Sequence, residues 1–151
     1  MWSGDDISFM RMALESARDA ECLDEVPIGA VVVSEGILLG RGHNCPVSSN
    51  DPTAHAEVQA LRAAGAWARN YRLTGATLYV TLEPCLMCFG ALVHARVGRV
   101  VFGAPDPKVG VSRWAAQLEG LPLNHHIAFE GGLLEAECRE LLQAFFRRRR
   151  R

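Results

Sequence analysis

Residues 76–104 read ATLYVTLEPCLMCFGALVHARVGRVVFGA, and the changes of pattern inside this stretch decide the fold class. Thr77 to Thr81 is a short β-branched and aromatic run that predicts a buried strand, Cys85 to Ala95 predicts a helix, and Arg99 to Phe102 predicts a second strand. Working outward, Ile28 to Val33 is a continuous strand run that turns at Ser34-Glu35-Gly36 into Ile37 to Gly40, which predicts a hairpin. A polar loop from Arg41 to Asn50 leads to Asp51-Pro52, an N-cap candidate with proline after it, and a helix is expected from there to about Ala64, stopped by Gly65. Phe9, Met12, Ala13, Ala17 and Ala20 recur at helical spacing behind Asp5 and Asp6, so a first helix is placed over residues 5–21. Beyond Gly103 the signal weakens. A short helix near Arg113 to Leu118, a last strand at Ile127 to Phe129 and a terminal helix from about Leu134, with Cys138, Leu141, Leu142 and Phe145 on its apolar face, complete the reading. Strands alternating with helices make this an α/β fold.

The 151 residues suit one domain on the usual size of about 100–200 residues. With 49% apolar and 22% charged residues, a disordered chain is excluded and a core of normal size is available. The longest near-continuous apolar stretch, Val26 to Val33, is far short of the roughly 20 residues of a spanning helix, and the N-terminal Met1 to Asp6 is acidic, so no membrane partner is expected and a cytoplasmic location is. The net charge is −1, but Arg147 to Arg151 concentrate five of the sixteen basic residues. Without them eleven basic residues face seventeen acidic ones, a balance of −6. A mildly acidic body with a basic tail at 147–151 suits docking on a polyanion, or else is a solvated helix end whose cations complement the helix dipole. The single lysine, Lys108, stands outside any GxxxxGK[ST] setting, which excludes a P-loop. Five cysteines, of which only Cys85 and Cys88 are closely spaced, argue against a disulfide scaffold.

The chemistry sits in His55-Ala56-Glu57 and Pro84-Cys85-Leu86-Met87-Cys88, each at the start of an expected helix. Cysteines three apart on a first turn put two sulfurs on one face, and a helix N-terminus favours the thiolate that a metal binds. With His55 they make a set of two sulfurs and one nitrogen that suits Zn²⁺ and leaves a fourth tetrahedral position for water. Glu57 would act beside that water as proton carrier. Residues two apart on an ideal helix point about 200° apart, so His55 and Glu57 must straddle a metal beyond the helix end.

HxE followed by PCxxC is the signature of the zinc deaminases, and the likeness runs on through Val26 to Val31, Gly42-His43-Asn44, Asp51 to Glu57, Asn70 to Leu73, Ala76 to Cys88 and Arg99 to Ala104. Nearly the whole chain resembles the bacterial tRNA-specific adenosine deaminases of the cytidine/deoxycytidylate deaminase superfamily, which convert the wobble adenosine to inosine. The resemblance implies a three-layer α/β/α fold around a mixed five-stranded sheet, a single zinc-dependent deaminase domain over 1–151, one zinc per chain and a homodimer. It implies His55, Cys85 and Cys88 as zinc ligands and Glu57 as the catalytic proton shuttle. It puts Ala56 and Pro84 beside the base pocket and Asn44 on the nucleotide. Asp106 and Lys108 fall in a loop bordering the RNA, and Phe146 and Arg147 on a C-terminal helix lying against the anticodon stem-loop. Phe89, Val111 to Trp114 and Cys45 depart from the family's usual residues.

Other readings bear on the same residues. A CxxC pair alone suits a redox or structural zinc site, and Cys45, His43 and His94 are the candidates for a fourth protein ligand. Adjacent His125 and His126 point to opposite faces of a strand and read as surface or turn residues. Cys22 and Cys138 read as buried small hydrophobes, and Trp67 and Trp114 as core or dimer packing. The metal chemistry is shared by deaminases of free nucleosides, nucleotides or bases, of cytidine or guanine type. An RNA-binding module with structural zinc would leave Glu57 without a role.

Overall fold

The computed structural model describes residues 2–150. Helix α1 (Gly4–Cys22) precedes strands β1 (Gly29–Ser34) and β2 (Ile37–His43), helix α2 (Ala56–Ala68), strand β3 (Thr77–Leu82), helix α3 (Leu86–Ala95) and strand β4 (Arg99–Ala104). A 3-10 turn at Val111–Trp114, helix α4 (Ala115–Glu119), strand β5 (Ala128–Gly131) and helix α5 (Glu135–Arg149) follow. The sheet order is β2-β1-β3-β4-β5, with β1 antiparallel to both neighbours and β3, β4 and β5 parallel. This is the expected mixed five-stranded sheet.

Alternation along β1 shows why the sheet lies between two helical layers. Ala30 and Val32 join Ala56, Ala60, Ala64 and Leu92 in a core under α2 and α3, while Val31 and Val33 join Met10, Ala13, Leu14 and Cys138 in a second core under α1 and α5. The strand is buried on both faces, so its sequence is an unbroken apolar run. The hairpin turns on Glu35 and Gly36, both at positive φ, as a two-residue connection that matches strand twist requires.

Two helix starts differ from expectation. Ser3, not Asp5 or Asp6, caps α1: its Oγ accepts from the Asp6 amide at 3.0 Å while Asp6 Oδ2 accepts from the Ser3 amide at 3.1 Å, a capping box with aspartate in the glutamate's place. Asp51-Pro52 does not open α2. Asp51 Oδ1 instead accepts from the amide and hydroxyl of Thr53, closing a local turn, and the helix begins four residues later behind His55. It also runs through Gly65 to Ala68, ending on left-handed Arg69.

Trp67 and Trp114 lie outside the core, 65% and 44% exposed, and Cys22 is exposed too. Cys138 is buried as expected. His126 is exposed and His125 Nε2 donates to the Val97 carbonyl at 2.6 Å. Two of the departing positions meet each other: Phe89 stacks on Phe129 with centroids 6.0 Å apart and packs with Val111 in a third, smaller core. The third departing residue, Cys45, is buried and its sulfur accepts from Gln59 Nε2 at 3.4 Å.

Asp6 also binds α1 to the sheet. Its Oδ1 accepts from Tyr79 of β3 at 2.6 Å and from Arg99 Nη1 of β4 at 2.9 Å, and Arg99 bonds onward to Glu130 of β5. The Arg99 guanidinium holds the Asp6 carboxyl well below the usual carboxylate range. A depressed folded pKa contributes stability above the unfolded value, near 3.8, and loses it as pH falls below that. Asp6→Ala is expected to cost about 1–3 kcal/mol at pH 7, because the buried Tyr79 phenol loses its acceptor and the partly exposed Arg99 guanidinium keeps only Glu130. Urea unfolding should show the gap to the unsubstituted protein narrowing below pH 4; a gap that is constant with pH would contradict this role.

Candidate active site

The sheet topology brings four chain segments to one edge. Strands β3 and β4 are parallel, so the residues after each emerge together, Glu83 to Cys85 from one and Pro105 to Val109 from the other. Strand β1 is antiparallel to β3, which puts its entrance, Val26 to Ile28, at the same end, and β2 exits there at Asn44 because Gly29 pairs with His43. A cavity of about 190 Å³ opens at this junction, walled by Val26, Ile28, Asn44, Leu82, Asp106 and Val109, with His55, Glu57 and Cys85 within. Clefts outside the carboxyl ends of parallel strands are where α/β sheets bind ligands.

Two helix N-termini meet at the cavity. His55 is the N-cap of α2, with extended backbone at φ −74°, ψ 154°, and Cys85 is the N-cap of α3 at φ −84°, ψ 176°. This removes the difficulty of the HxE spacing: His55 stands outside the helix while Glu57 lies in its first turn, so the 200° separation of an ideal helix does not apply. His55 Nδ1 lies 3.6 Å from Cys85 Sγ and 3.5 Å from Cys88 Sγ. Bonds of about 2.3 Å to sulfur and about 2.0–2.1 Å to nitrogen at a tetrahedral centre require separations of about 3.6 Å, so the three donors fit zinc. Among the described residues these three form the group of His, Cys, Asp or Glu whose ligand atoms all lie within 4.8 Å of one another, and neither Cys45, His43 nor His94 joins it.

The electrostatics are those of a cation site. The neighbouring Cys88 thiol, and then His55, hold the Cys85 thiol down to about 4 against its burial, while Cys88 itself is pushed up by its bond to Cys85. The His55 ring is raised, chiefly by its contact with Cys85. Two sulfurs on helix N-termini thus share a negative charge that a dication would complete. Glu57 is 4% exposed, and burial pushes its carboxyl up to about 7.

The remaining expected site residues fall into separate places. Asn44 and Asp106 line the cavity, and Asn44 is 6% exposed, its backbone N–H donating to the Ile28 carbonyl at 3.0 Å. Ala56 and Pro84 are buried next to the ligand residues and are not among the residues lining the cavity. Lys108, Phe146 and Arg147 line a different concavity, together with Gln143 and Arg150. Two residues escaped the sequence reading. Glu83 and Glu25 are each 3% exposed, and both accept backbone hydrogen bonds from the loops bounding the cavity. Against its burial, the Ser48 and Val47 amides hold the Glu25 carboxyl below its ordinary range. The signal available for Glu83 was its place directly before Pro84-Cys85; Glu25 had none, since its partners come from a loop 22 and 23 residues away.

If the trio holds the metal and Glu57 does not, the two kinds of substitution separate cleanly. Cys88→Ser should lower bound zinc well below one per chain by elemental analysis, whereas Glu57→Gln should retain one per chain. Equal zinc loss in both would place Glu57 among the ligands.

Residues 3–104 match the model of the cytidine and deoxycytidylate deaminase zinc-binding region. The chain is 47% identical over 148 residues to a tRNA-specific adenosine deaminase of Haemophilus influenzae, covering 96% of this chain and 85% of that one. It is 42% identical over 149 residues to the protein of the same name from Buchnera aphidicola, covering 97% and 91%. A structure from a study of A-to-I editing by tRNA:A34 deaminases at the wobble position of transfer RNA superposes with a TM-score of 0.84 at 44% identity, over 89% of this chain and 99% of that one. A guanine deaminase from Nitrosomonas europaea superposes with a TM-score of 0.80 at 27% identity, over 96% and 85%. A zinc-compatible trio with a buried carboxylate beside it, matched along nearly the full length by these relatives, means that the chain belongs to the cytidine and deoxycytidylate deaminase family, within the group of the tRNA-specific adenosine deaminases.

Proposed function

We propose that the chain hydrolyses the exocyclic amine of the wobble adenosine in a tRNA anticodon stem-loop, leaving inosine, and that it does so in the cytoplasm as a homodimer of single-domain subunits with one zinc each. The observation that carries the deaminase chemistry is Glu57, a buried carboxylate in the same cavity as the trio. The choice of tRNA adenosine over a free base is supported by the named relatives at 42–47% identity.

His55, Cys85 and Cys88 hold the zinc, which supplies Lewis acidity and a water acidified toward neutrality. Glu57 takes one proton from the attacking water and gives it to the adenine ring nitrogen N1, then takes the second from the oxygen now on carbon 6 and gives it to the departing amine. Oxygen adds to carbon 6, the bond from that carbon to the exocyclic nitrogen breaks, and ammonia leaves. Asn44 orients the nucleotide from the wall, and Ala56 and Pro84 fix the backbone against which the base rests. A stacked adenine cannot present carbon 6, so the base turns out of the loop at a cost of roughly a few kcal/mol, which remote contacts offset.

Those contacts centre on the groove of about 640 Å³ lined by Lys108, Gln143, Phe146, Arg147 and Arg150. The arginine tail divides by role. Arg148 and Arg149 bond to Glu21 and Asp24, each at 2.6 Å, and both lie over the Phe145 ring, so they fasten α5 to the end of α1. Arg147 and Arg150 line the groove with Lys108, Arg147 while also paired with Glu140 at 2.8 Å, and Arg151 lies outside the described residues. The dimer is supported by an apolar concavity of about 650 Å³ between α2 and α3, lined in part by Val58, Leu61, Ala91 and Tyr71, with Tyr71 74% exposed.

Two measurements follow. Inosine should form in an anticodon stem-loop with kcat/KM orders of magnitude above that for free adenosine or cytidine, because remote binding energy is realised as rate; comparable values would favour a nucleoside deaminase. Lys108→Ala and Arg150→Ala should each reduce the slope of log affinity against log salt by about 0.7–0.9, while Arg149→Ala leaves the slope unchanged and lowers thermal stability. An equal change of slope in all three would return the whole tail to phosphate contact.

A further inference from the structure

Glu83 is the buried residue that leads from β3 into Pro84 and Cys85, and among the described residues no cation partners it. Its two oxygens reach across to the segment after β4. Oε1 accepts from the Asp106 amide at 2.9 Å and Oε2 from the Ser112 amide at 2.8 Å. Between these anchors the segment is closed on itself. Asp106 Oδ1 accepts from the amides of Lys108 at 3.0 Å and Val109 at 3.2 Å, the Asp106 carbonyl accepts from Gly110 at 3.0 Å, and Val111 donates to the Pro84 carbonyl at 3.0 Å. Gly110 has an ordinary φ of −66°, so its smallness answers a need for space. A Cβ there would stand 2.4 Å from Glu83 Oε1 and 2.6 Å from the Asp106 carbonyl. A carboxylate this buried is costly unless its lone pairs are used, and here both are used on one loop.

We propose that Glu83 is a positioning residue: from the turn that leads into Cys85 it holds residues 106–112 in the shape that receives RNA, so that Asp106 and Val109 are set over the cavity and Lys108 at the basic groove before substrate arrives. This rests on the reading of RNA as substrate given above. Without the carboxylate, the loop must be ordered by each binding event, and only the ordered fraction of molecules is competent to bind. The loss therefore falls on KM more than on kcat. Glutamine keeps the shape but offers one acceptor oxygen, and its NH₂ faces the second amide, so it is expected to release one anchor.

The test uses the zinc-loaded full chain with Glu83→Gln, Glu83→Ala, Gly110→Ala and the double variant. Hydrogen exchange of the 106–112 amides should rise by about tenfold in Glu83→Gln, the worth of one unmade buried hydrogen bond. KM for the stem-loop should rise by about the same factor, with a much smaller change in kcat and one zinc per chain retained. Gly110→Ala should reproduce this alone and add less to Glu83→Ala than it costs by itself, because its clash with the Glu83 carboxylate is then gone while that with the Asp106 carbonyl remains. Unchanged exchange in Glu83→Gln and Gly110→Ala, additive effects in the double variant, or loss of zinc would each overturn the proposal. A wild-type chain that makes no inosine from the stem-loop would refute the substrate reading, and the exchange data would still decide whether Glu83 holds the loop.

Discussion

The site depends on how closely α2 sits on the sheet. Ala56, Ala60 and Ala64 are fully buried against β2 at Gly40 and Gly42, where a Cβ would lie 2.4–2.5 Å from the backbone of α2. Alanine on the helix and glycine on the strand bring main chain against main chain, and interiors packed at crystal density transmit any displacement. The proposed chemistry rests on the first residues of that helix. A side chain at Gly42 would lift the start of α2, and with it His55 and Glu57, away from Cys85 and Cys88, which are held by a different helix and strand. A spacing of 3.5–3.6 Å from the His55 nitrogen to the two sulfurs cannot absorb such a shift.

Around this fixed point the molecule separates two tasks. Inside the cavity, burial and the two helix N-termini make a set of groups suited to a dication and to moving a proton, with Glu57 withdrawn from water. Outside it, a basic groove built by α5 and the loop after β4 is the surface proposed for recognition. The loops between are hung on buried carboxylates, Glu25 on one side and Glu83 on the other, each satisfied by main-chain amides. Such anchors give shape without adding positive charge near the metal donors. Part of the basic tail is turned back on the acidic body, where Arg148 and Arg149 hold α5 to Glu21 and Asp24.

The central strands were legible because double burial leaves an unbroken apolar run, and the metal donors because their spacing has few other uses. Element edges were less so. Asp51-Pro52 has the local chemistry of a helix start, but the Asp51 side chain bonds to Thr53 in a closed turn and the helix begins only behind His55, an outcome set by where α2 must dock. The exposure of Trp67, Trp114 and Cys22 could not be read from residue type, since helix periodicity at those places is weak. The mutual packing of Phe89, Val111 and Phe129 depends on contacts up to 40 residues apart, and so two departures from family habit looked independent in sequence. Glu83 was hidden for the same reason: its partners lie 23 and 29 residues downstream.

The account turns on a zinc held by three protein donors with one position left open. X-ray absorption at the zinc edge of the resting protein measures this directly. The account predicts two sulfurs at about 2.3 Å and two lighter donors at about 2.0–2.1 Å, one of them an imidazole and the other an exchangeable oxygen that a competing anion displaces. A third sulfur from Cys45, or a second imidazole from His43 or His94 closing the shell, would make the centre structural and contradict the account.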